Sequence, residues 1–576
     1  MYVKTTSRKT KSGTVRYLHL AHNTWDVAAG RSVPKLLYGF GREDQLDTDA
    51  VRRLVGSLSK LLDPAAALAA TAEADTELDF VESRPFGGAY LLDQLWQRLE
   101  LPRIVAALGT RGRGRPRNVE ATERALFALV ANRALAPSSK LAAAEWVNHD
   151  VHIDGLDPID DDACYRAMDW LHQIREKLEQ QVFDSAAHLL NLEVDLLFFD
   201  TTSTYFELED ADLPVARDEH GIPLPETGDG DGDGDGVSMG GFRTWGKSKD
   251  SRADLPQIVI GMAVTRDGIP VRVWCRPGNT GDSALIRQVK DDMRDWTLSK
   301  IVWVADRGFA SAANRRYLRS GDHHYVIGEK LRSNSPEIKA ALSRQGRYQD
   351  IAHNMRVKEV KVSDAERCVI CHNPEGATRD AAIRTQLTAQ LTELIEGSDT
   401  LSDYKRGELR GRIAAKPGLN RYLRTTPAGK LRVDATKAKA EANLDGKYLL
   451  RCSDPRLSAE DIALGYKQLL EVERGWRDMK QILDLRPVYH RLEERIRAHV
   501  ILCWLALLLI RIAETTTGTT WPTIRRELDR LHLGTFTGPA GTFRQLTELT
   551  KAQRDLLAKL GIPTPKKIIE ASTTPR

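Results

Sequence analysis

The chain has 576 residues, with 84 Lys and Arg against 80 Asp and Glu for a formal charge of +4, and is 41% hydrophobic and 28% charged. This is the composition of a globular protein of several domains, and it excludes a collagen, a disulfide-stapled peptide and a wholly disordered chain. The near balance of charge argues against a uniformly cationic DNA-coating protein but does not say how charge is distributed along the chain.

The opening MYVKTTSRKTKSGTVRYLHL is basic without the apolar run of a secretory signal, so a cytoplasmic protein is expected. Residues 1–40 alternate in short β-like runs (Val15, Tyr17 and Leu18, then Leu36, Leu37 and Tyr38), which predicts a small β-rich element. Val51, Leu54, Val55, Leu58, Leu61 and Leu62 then recur at helical spacing, and an Ala/Glu/Thr-rich connector runs to about residue 78. Residues 89–190 read as mostly helical, with segments at 90–99, 119–135 and 163–190. Within them Arg111, Arg113, Arg115 and Arg117 alternate with Gly and Pro. The core of that run resembles an AT-hook for a narrow minor groove, with a solvated basic loop as the alternative.

After residue 191 the texture becomes β-branched and aromatic. Strands are predicted at 194–200, 255–264, 269–275, 300–306 and 323–328, with a helix over 282–296, the order of a mixed α/β sheet. The Gly-Asp run at 228–236 imitates the start of a calcium loop. Phe242 stands where the bidentate Glu belongs, so a flexible connector is expected. Residues 331–445 are of mixed texture. They include Cys368-Val-Ile-Cys371-His372, which has haem-attachment spacing but alternates like a strand, so no metal is expected there. They also hold a basic stretch from Lys405 to Lys439, eleven cations against only Glu408 and Asp434, which suits a phosphate backbone. Residues 458–515 return to helix and end in the apolar run Val500–Ile510, read as buried. His499 at its head is expected to be a core histidine, and a polar tail follows. Six cysteines are too sparse for a disulfide framework and suit a reducing compartment.

Three carboxylates carry the chemistry. Asp200 closes VDLLFFD before Thr201, and Asp306 closes KIVWVAD before Arg307. Carboxylates at the carboxyl ends of neighbouring buried strands come within reach of one metal ion. Glu473 lies in GYKQLLEVERGWRDMKQIL, where Tyr466, Leu469, Trp476, Arg477 and Lys480 are spaced to share its helical stripe.

The motifs DTTS, ADRGF and Y-x2-L-x3-E-x6-K resemble the catalytic signature of bacterial insertion-sequence transposases of the DDE class, the group with a Tyr-Arg-Glu-Lys helix. GKSKDSRADLPQIVIGMAV, PGNTGD, ANRALAPSSKLAAAEW and RPVYHRLEERIRAHVILCW are similar to stretches of such proteins in the same order. One position departs from the pattern: the signature Arg is Leu469 here, so its phosphate contact is either absent or supplied by another residue such as Lys467 or Arg474.

The resemblance implies an α/β fold, an RNase H-like catalytic core with a mixed sheet flanked by helices and an inserted domain, preceded by a β-rich element and a helical DNA-binding region. The corresponding segments are 1–78, 79–190, 191–330, 331–445, 446–515 and a C-terminal 516–576. It implies Asp200, Asp306 and Glu473 as catalytic metal ligands for Mg²⁺, with Mn²⁺ able to substitute. It implies double-stranded DNA as partner (terminal inverted repeats and target), a homodimer in the synaptic complex, no membrane, and a place on the nucleoid. Tyr466, Lys480, Arg477, Trp476, Lys249 and Arg252 are the expected DNA contacts besides the four arginines, with Gln257 near them. Two other readings stand beside it: a catalytically silent, transposase-derived regulator, and a metal-dependent nuclease without strand transfer.

Overall fold

Five strands predicted from the sequence lie side by side, out to one edge, in one large mixed sheet of the computed structural model. The structure describes residues 2–10, 13–26, 30–48, 51, 79–109, 118–192, 194–218, 220–224, 238–294, 296, 300–332, 335–363, 366–538 and 541–573. The helix expected over 52–62, the arginines 111–117 and the Gly-Asp run 228–236 lie outside them.

The chain divides into two compact units, Met1–Glu82 with Gly534–Gln545 and Ile568–Arg576, and Ser83–Leu533 with Leu546–Lys567. The first contains an antiparallel three-stranded sheet, Tyr2–Thr10, Gly13–Asp26 and Arg31–Arg42. Where the sequence suggested a polar tail, the residues beyond 516 fold. Trp521–Leu528 and Lys551–Lys559 are helices, and His532–Gly538, Gly541–Leu546 and Ile568–Thr573 are strands. Their apolar anchors, Trp521, Ile524, Leu528, Leu533, Leu546 and Leu557, are buried but widely spaced, too thin a pattern to stand out against Thr and Pro.

In the second unit, helices α1 (Val119–Leu135) and α2 (Asp161–Leu190) precede the sheet. The sheet then builds from β1 (Leu196–Tyr205), β2 (Gln257–Val264), β3 (Pro270–Pro277), β4 (Val302–Ala305) and β5 (His324–Glu329), with helix α3 (Asp282–Asp292) between β3 and β4. Four more strands follow: β6 (Gln349–Ala352), β7 (Met355–Lys361), β8 (Arg367–His372) and β9 (Lys447–Cys452). Among the described residues the order is β6-β7-β8-β9-β5-β4-β1-β2-β3. β1, β4 and β5 run parallel, while β1-β2-β3 is an antiparallel meander. This mixed α/β arrangement is consistent with an RNase H-like core.

Residues 331–445 are not set apart from the sheet: β6, β7 and β8 extend it through β9. Cys368 and Cys371 lie three residues apart on β8, so they face opposite sides and pack into two different apolar clusters, which excludes a shared metal. The basic stretch folds further along the same segment as the helix Asp403–Ala414, a short hairpin (Leu423–Thr425 with Leu431–Val433) and the helix Ala435–Ala442 around their own small core.

Three helices follow the sheet: α4 (Ala459–Lys467), α5 (Leu470–Gln481) and α6 (Glu493–Thr517). The apolar run is longer than its 11 most hydrophobic residues suggested. α6 has 25 residues and enough hydropathy to cross a membrane, yet its apolar stretch is wholly buried inside the protein. It packs against α1, α2 and β3, and each fully buried Leu or Ile contributes about 1.5–3 kcal/mol. His499 is the core histidine expected, 3% exposed with its Nε2 near the Leu485 carbonyl at 3.2 Å.

Candidate active site

Asp200 lies on β1, which is hydrogen-bonded on both sides, to β4 and to β2. Ala305 at the end of β4 pairs with Phe199, so the parallel register carried one residue further sets Asp306 beside Asp200. The two aspartates thus become neighbours because β4 joins β1 in parallel, but only Asp306 follows the end of its strand: β1 runs on to Tyr205, so Asp200 lies midway along it and not at its end as the sequence suggested. The approach of sheet and helices is helped by absent side chains. A Cβ at Gly475 on α5 would come within 2.7 Å of Met262 Cε, and one at Gly328 would collide with Tyr466 Oη.

That hydroxyl donates to Asp306 Oδ1 at 3.1 Å. Burial and the Asp306 charge push the Tyr466 phenol well above its ordinary value, so it stays a donor. Asp200 has its carboxyl pushed up to about 6, chiefly by burial. The nearby Asp306 and Asp282 charges add to the rise, while Lys249 and the Thr201 backbone N–H oppose it. Two neighbouring oxygen-donor side chains, one of them disfavoured as an anion by burial and by adjacent negative charge, fit a hard divalent metal ion that would relieve that charge.

Tyr466 to Lys480 is not one continuous helix: α4 ends at Lys467 and α5 begins at Leu470, with a turn at Gln468 and Leu469. The expected stripe therefore divides. Leu469 and Trp476 are buried in the main core, so Trp476 is a packing residue and is not presented to a base. Arg477 is exposed, and so is Glu473, in the first turn of α5. Lys480 Nζ donates to Thr202 Oγ1 at 2.8 Å and to Asp250 Oδ1 at 2.9 Å. Tyr466 at Asp306 and Lys480 at Thr202 therefore bracket Glu473, seven residues from each. Among the described residues, however, no three His, Cys, Asp or Glu side chains are gathered closely enough to hold a metal. The site as it stands has two converged carboxylates and a third poised on the bracketing helix.

Position 469 has no cation to offer. Arg474 is committed elsewhere, at 2.9 Å from Glu514 and 3.7 Å from Glu471, whereas Lys467 is exposed. Buried Arg511 bonds both Glu514 and Asp478, tying α5 to α6. Arg252 pairs with Asp254 and lies over the Tyr205 ring. Gln257 is fully buried and bonds the Gly278 carbonyl, a structural role.

The sequence reading missed Asp250, Arg486 and Asp282. Asp250 joins Lys480 to Arg486, whose guanidinium is 3.0 Å away and also lies over Tyr205. Asp282 accepts from Thr201 Oγ1 at 2.7 Å and lies 3.5 Å from Lys249. The two aspartates were present as unused acidic positions in SKDSRADLPQ and at the end of PGNTGD, and Arg486 as the first residue of RPVYHRLEERIRAHVILCW.

The sequence profile described as Transposase DDE domain matches residues 213–509, more than half the chain, starting just after Asp200. A solved cryo-EM structure, the piggyBac transposase synaptic complex with hairpin DNA, is similar at 11% identity over 77% of this chain and 78% of that one, with a TM-score of 0.34. No curated protein matches. With a profile match of that extent, the chain belongs to the DDE transposase domain family.

Proposed function

We propose that this chain is a DNA transposase that binds the terminal inverted repeats of its own insertion sequence, pairs two ends as a homodimer and moves the element by cut and paste. The observation that carries the reading is the side-by-side setting of Asp200, midway along β1, and Asp306, just past the end of β4. In this reading Asp200, Asp306 and Glu473 hold Mg²⁺, or Mn²⁺ in its place. The metal supplies activation of a water or 3′-hydroxyl and stabilisation of the leaving oxygen in an in-line displacement at phosphorus. Tyr466 orients the Asp306 carboxylate, and Lys480, with exposed Arg477 and Lys467, faces the phosphates near the cut end. Residues 79–190, with Arg111, Arg113, Arg115 and Arg117, and the basic part of the 331–445 segment grip the flanking duplex. The test is Mg²⁺-dependent nicking of a duplex carrying the inverted repeat that borders the gene; a protein that binds this duplex but leaves it intact would favour the silent regulator. The exposed Glu473, outside any three-carboxylate cluster, is the observation on that second reading's side.

Two predictions arise here. Lys405, Arg410, Arg412, Lys416, Arg424, Lys430, Lys437 and Lys439 are exposed on the inserted segment. If six of these cations meet phosphates, end affinity falls by roughly 10³-fold or more between about 50 and 200 mM salt. A binding titration with a flat salt response would remove the basic segment from the interface.

The second prediction concerns pH. With Asp200 at about 6, its carboxylate is available above that value and proton-blocked below it. At limiting Mg²⁺ the cleavage rate is expected to fall about tenfold per pH unit below pH 6, and raising Mg²⁺ should move the midpoint down, because cation and proton compete for the same oxygens. A midpoint indifferent to Mg²⁺ would assign the titration to another group.

A further inference from the structure

Lys249 stands closer to the carboxylates than a remote DNA contact would. It belongs to the loop entering β2, and its position is fixed at both ends of the residue. Its backbone N–H donates to Ser203 Oγ at 2.9 Å, and its Nζ donates to the Thr201 carbonyl at 2.6 Å and to Thr201 Oγ1. Thr201 Oγ1 in turn donates to Asp282 Oδ1 at 2.7 Å, and Asp282 Oδ2 lies 3.5 Å from the ammonium. Asp282 opens α3, two strands and 81 residues from Thr201, so the fold delivers it deliberately to this point.

The consequence is seen in the remaining distance. Lys249 Nζ is 4.0 Å from Asp200 Oδ1, whereas a charge-assisted N–H···O bond closes to about 2.7–2.9 Å. The ammonium is held back from Asp200 by Thr201 and Asp282, so the Asp200 oxygens are not consumed by it. It remains about one-third exposed, with Asp200 and Asp282 similarly open, so a ligand arriving at Asp200 meets it directly. A phosphodiester brought there adds negative charge beside two carboxylates, and a cation fixed 4 Å away is placed to receive one of its non-bridging oxygens. A lysine serving only to fasten the loop would have no need of a second carboxylate aimed at its charge, since the Ser203 bond and the Thr201 carbonyl already tie this residue to β1.

We propose that Lys249 is a further catalytic residue, contacting a non-bridging oxygen of the scissile phosphate beside Asp200, and that Asp282 is the positioning residue that holds its ammonium there. This rests on the transposase reading and adds to it the group that reads the phosphate on the β1 side of the site, opposite the helix that carries Lys480.

The test uses the full-length protein and an inverted-repeat duplex with sulfur replacing one or the other non-bridging oxygen of the scissile phosphate. Lys249→Met is expected to lower single-turnover cleavage about 100-fold with end binding within about threefold, and Lys249→Arg to recover part of the rate. With wild type, one sulfur diastereomer is slowed in a way that Mn²⁺ does not restore, which distinguishes a protein contact from a metal contact. In Lys249→Met that diastereomer should lose no further rate, because its partner is already gone. Asp282→Asn should weaken the same stereospecific effect while leaving the other diastereomer's response as in wild type, an outcome that general loosening of the fold would not produce. Lys249→Met cleaving within threefold of wild type, or sulfur and mutation effects that simply multiply, would overturn the assignment. Asp306→Ala run in parallel separates the two levels. If it is dead while Lys249→Met is normal, only this inference falls; if it cleaves normally, the catalytic reading falls with it.

Discussion

Asp306→Ala is expected to lower cleavage of an inverted-repeat duplex by at least roughly 1,000-fold while leaving end binding within a few-fold. A lost carboxylate removes several kcal/mol of charge stabilisation, and each 1.36 kcal/mol is tenfold in rate. The side chain stands after β4, outside the hydrophobic core, and its hydrogen bond is to Tyr466, so the substitution opens no core cavity. Asp200→Ala should behave alike, and the double variant should be hardly worse than either single one, since two residues holding one ion act as a unit. Glu473→Ala is the discriminating member of the set. Its side chain is exposed on α5, bracketed by the Tyr466 and Lys480 contacts. A comparable loss would mean that DNA and metal draw it to the aspartates; full activity would strike it from the ligand set. An Asp306→Ala protein that still nicks DNA with Mg²⁺ would remove the whole assignment.

The second large effect is on stability. Arg451 on β9 is 2% exposed and reaches three carboxylates, Glu329 at 2.9 Å, Glu337 at 2.8 Å and Glu366 at 2.9 Å, while Arg315 lies 3.1 Å from Glu329 and Tyr325 donates to Glu366. The network joins β5 to β8 and β9, which lie on the route from Asp306 to the strands contributed by the 331–445 segment. Arg451→Ala leaves Glu329 and Glu366 facing each other at low exposure with one guanidinium between them. Removing one partner of a buried ion network costs about 3–5 kcal/mol, because the remaining charges stay desolvated. Chemical denaturation followed by tryptophan fluorescence checks this, and a loss under about 1 kcal/mol would show that Arg315 and water make good the charge. Arg451→Met, which restores volume without charge, should recover little, since the deficit is electrostatic.

How much of the site was legible beforehand follows from how far each signal extends along the chain. The strands of Asp200 and Asp306 could be placed from a few residues each, because a buried strand announces itself by a local run of apolar and β-branched side chains; Asp306 does follow its strand, whereas β1 continues through the polar Thr201–Thr204, which pattern alone left outside it. The buried α6 was legible for the same reason, although its length was underestimated: the run continues into residues such as Arg497, Arg511 and Glu514 that are buried through ion pairs. The helical stripe around Glu473 was only half right. Spacing predicts which residues share a face of an unbroken helix, and the turn at Gln468 and Leu469 breaks it. The folded C-terminal residues were missed because a few well-separated apolar anchors leave no periodicity to detect.

By itself the sequence determined which strands the candidate carboxylates Asp200 and Asp306 belong to, the mixed α/β character and the family signature, all of which depend on residues close together in the chain. The tertiary structure alone decided what stands beside those carboxylates. Thr201 meets Asp282 across 81 residues, Lys480 meets Thr202 across 278, and β6 to β8 join the same sheet as β1. Such meetings are set by strand order and helix packing, and separation along the chain carries no record of distance once a parallel sheet has brought remote strands together.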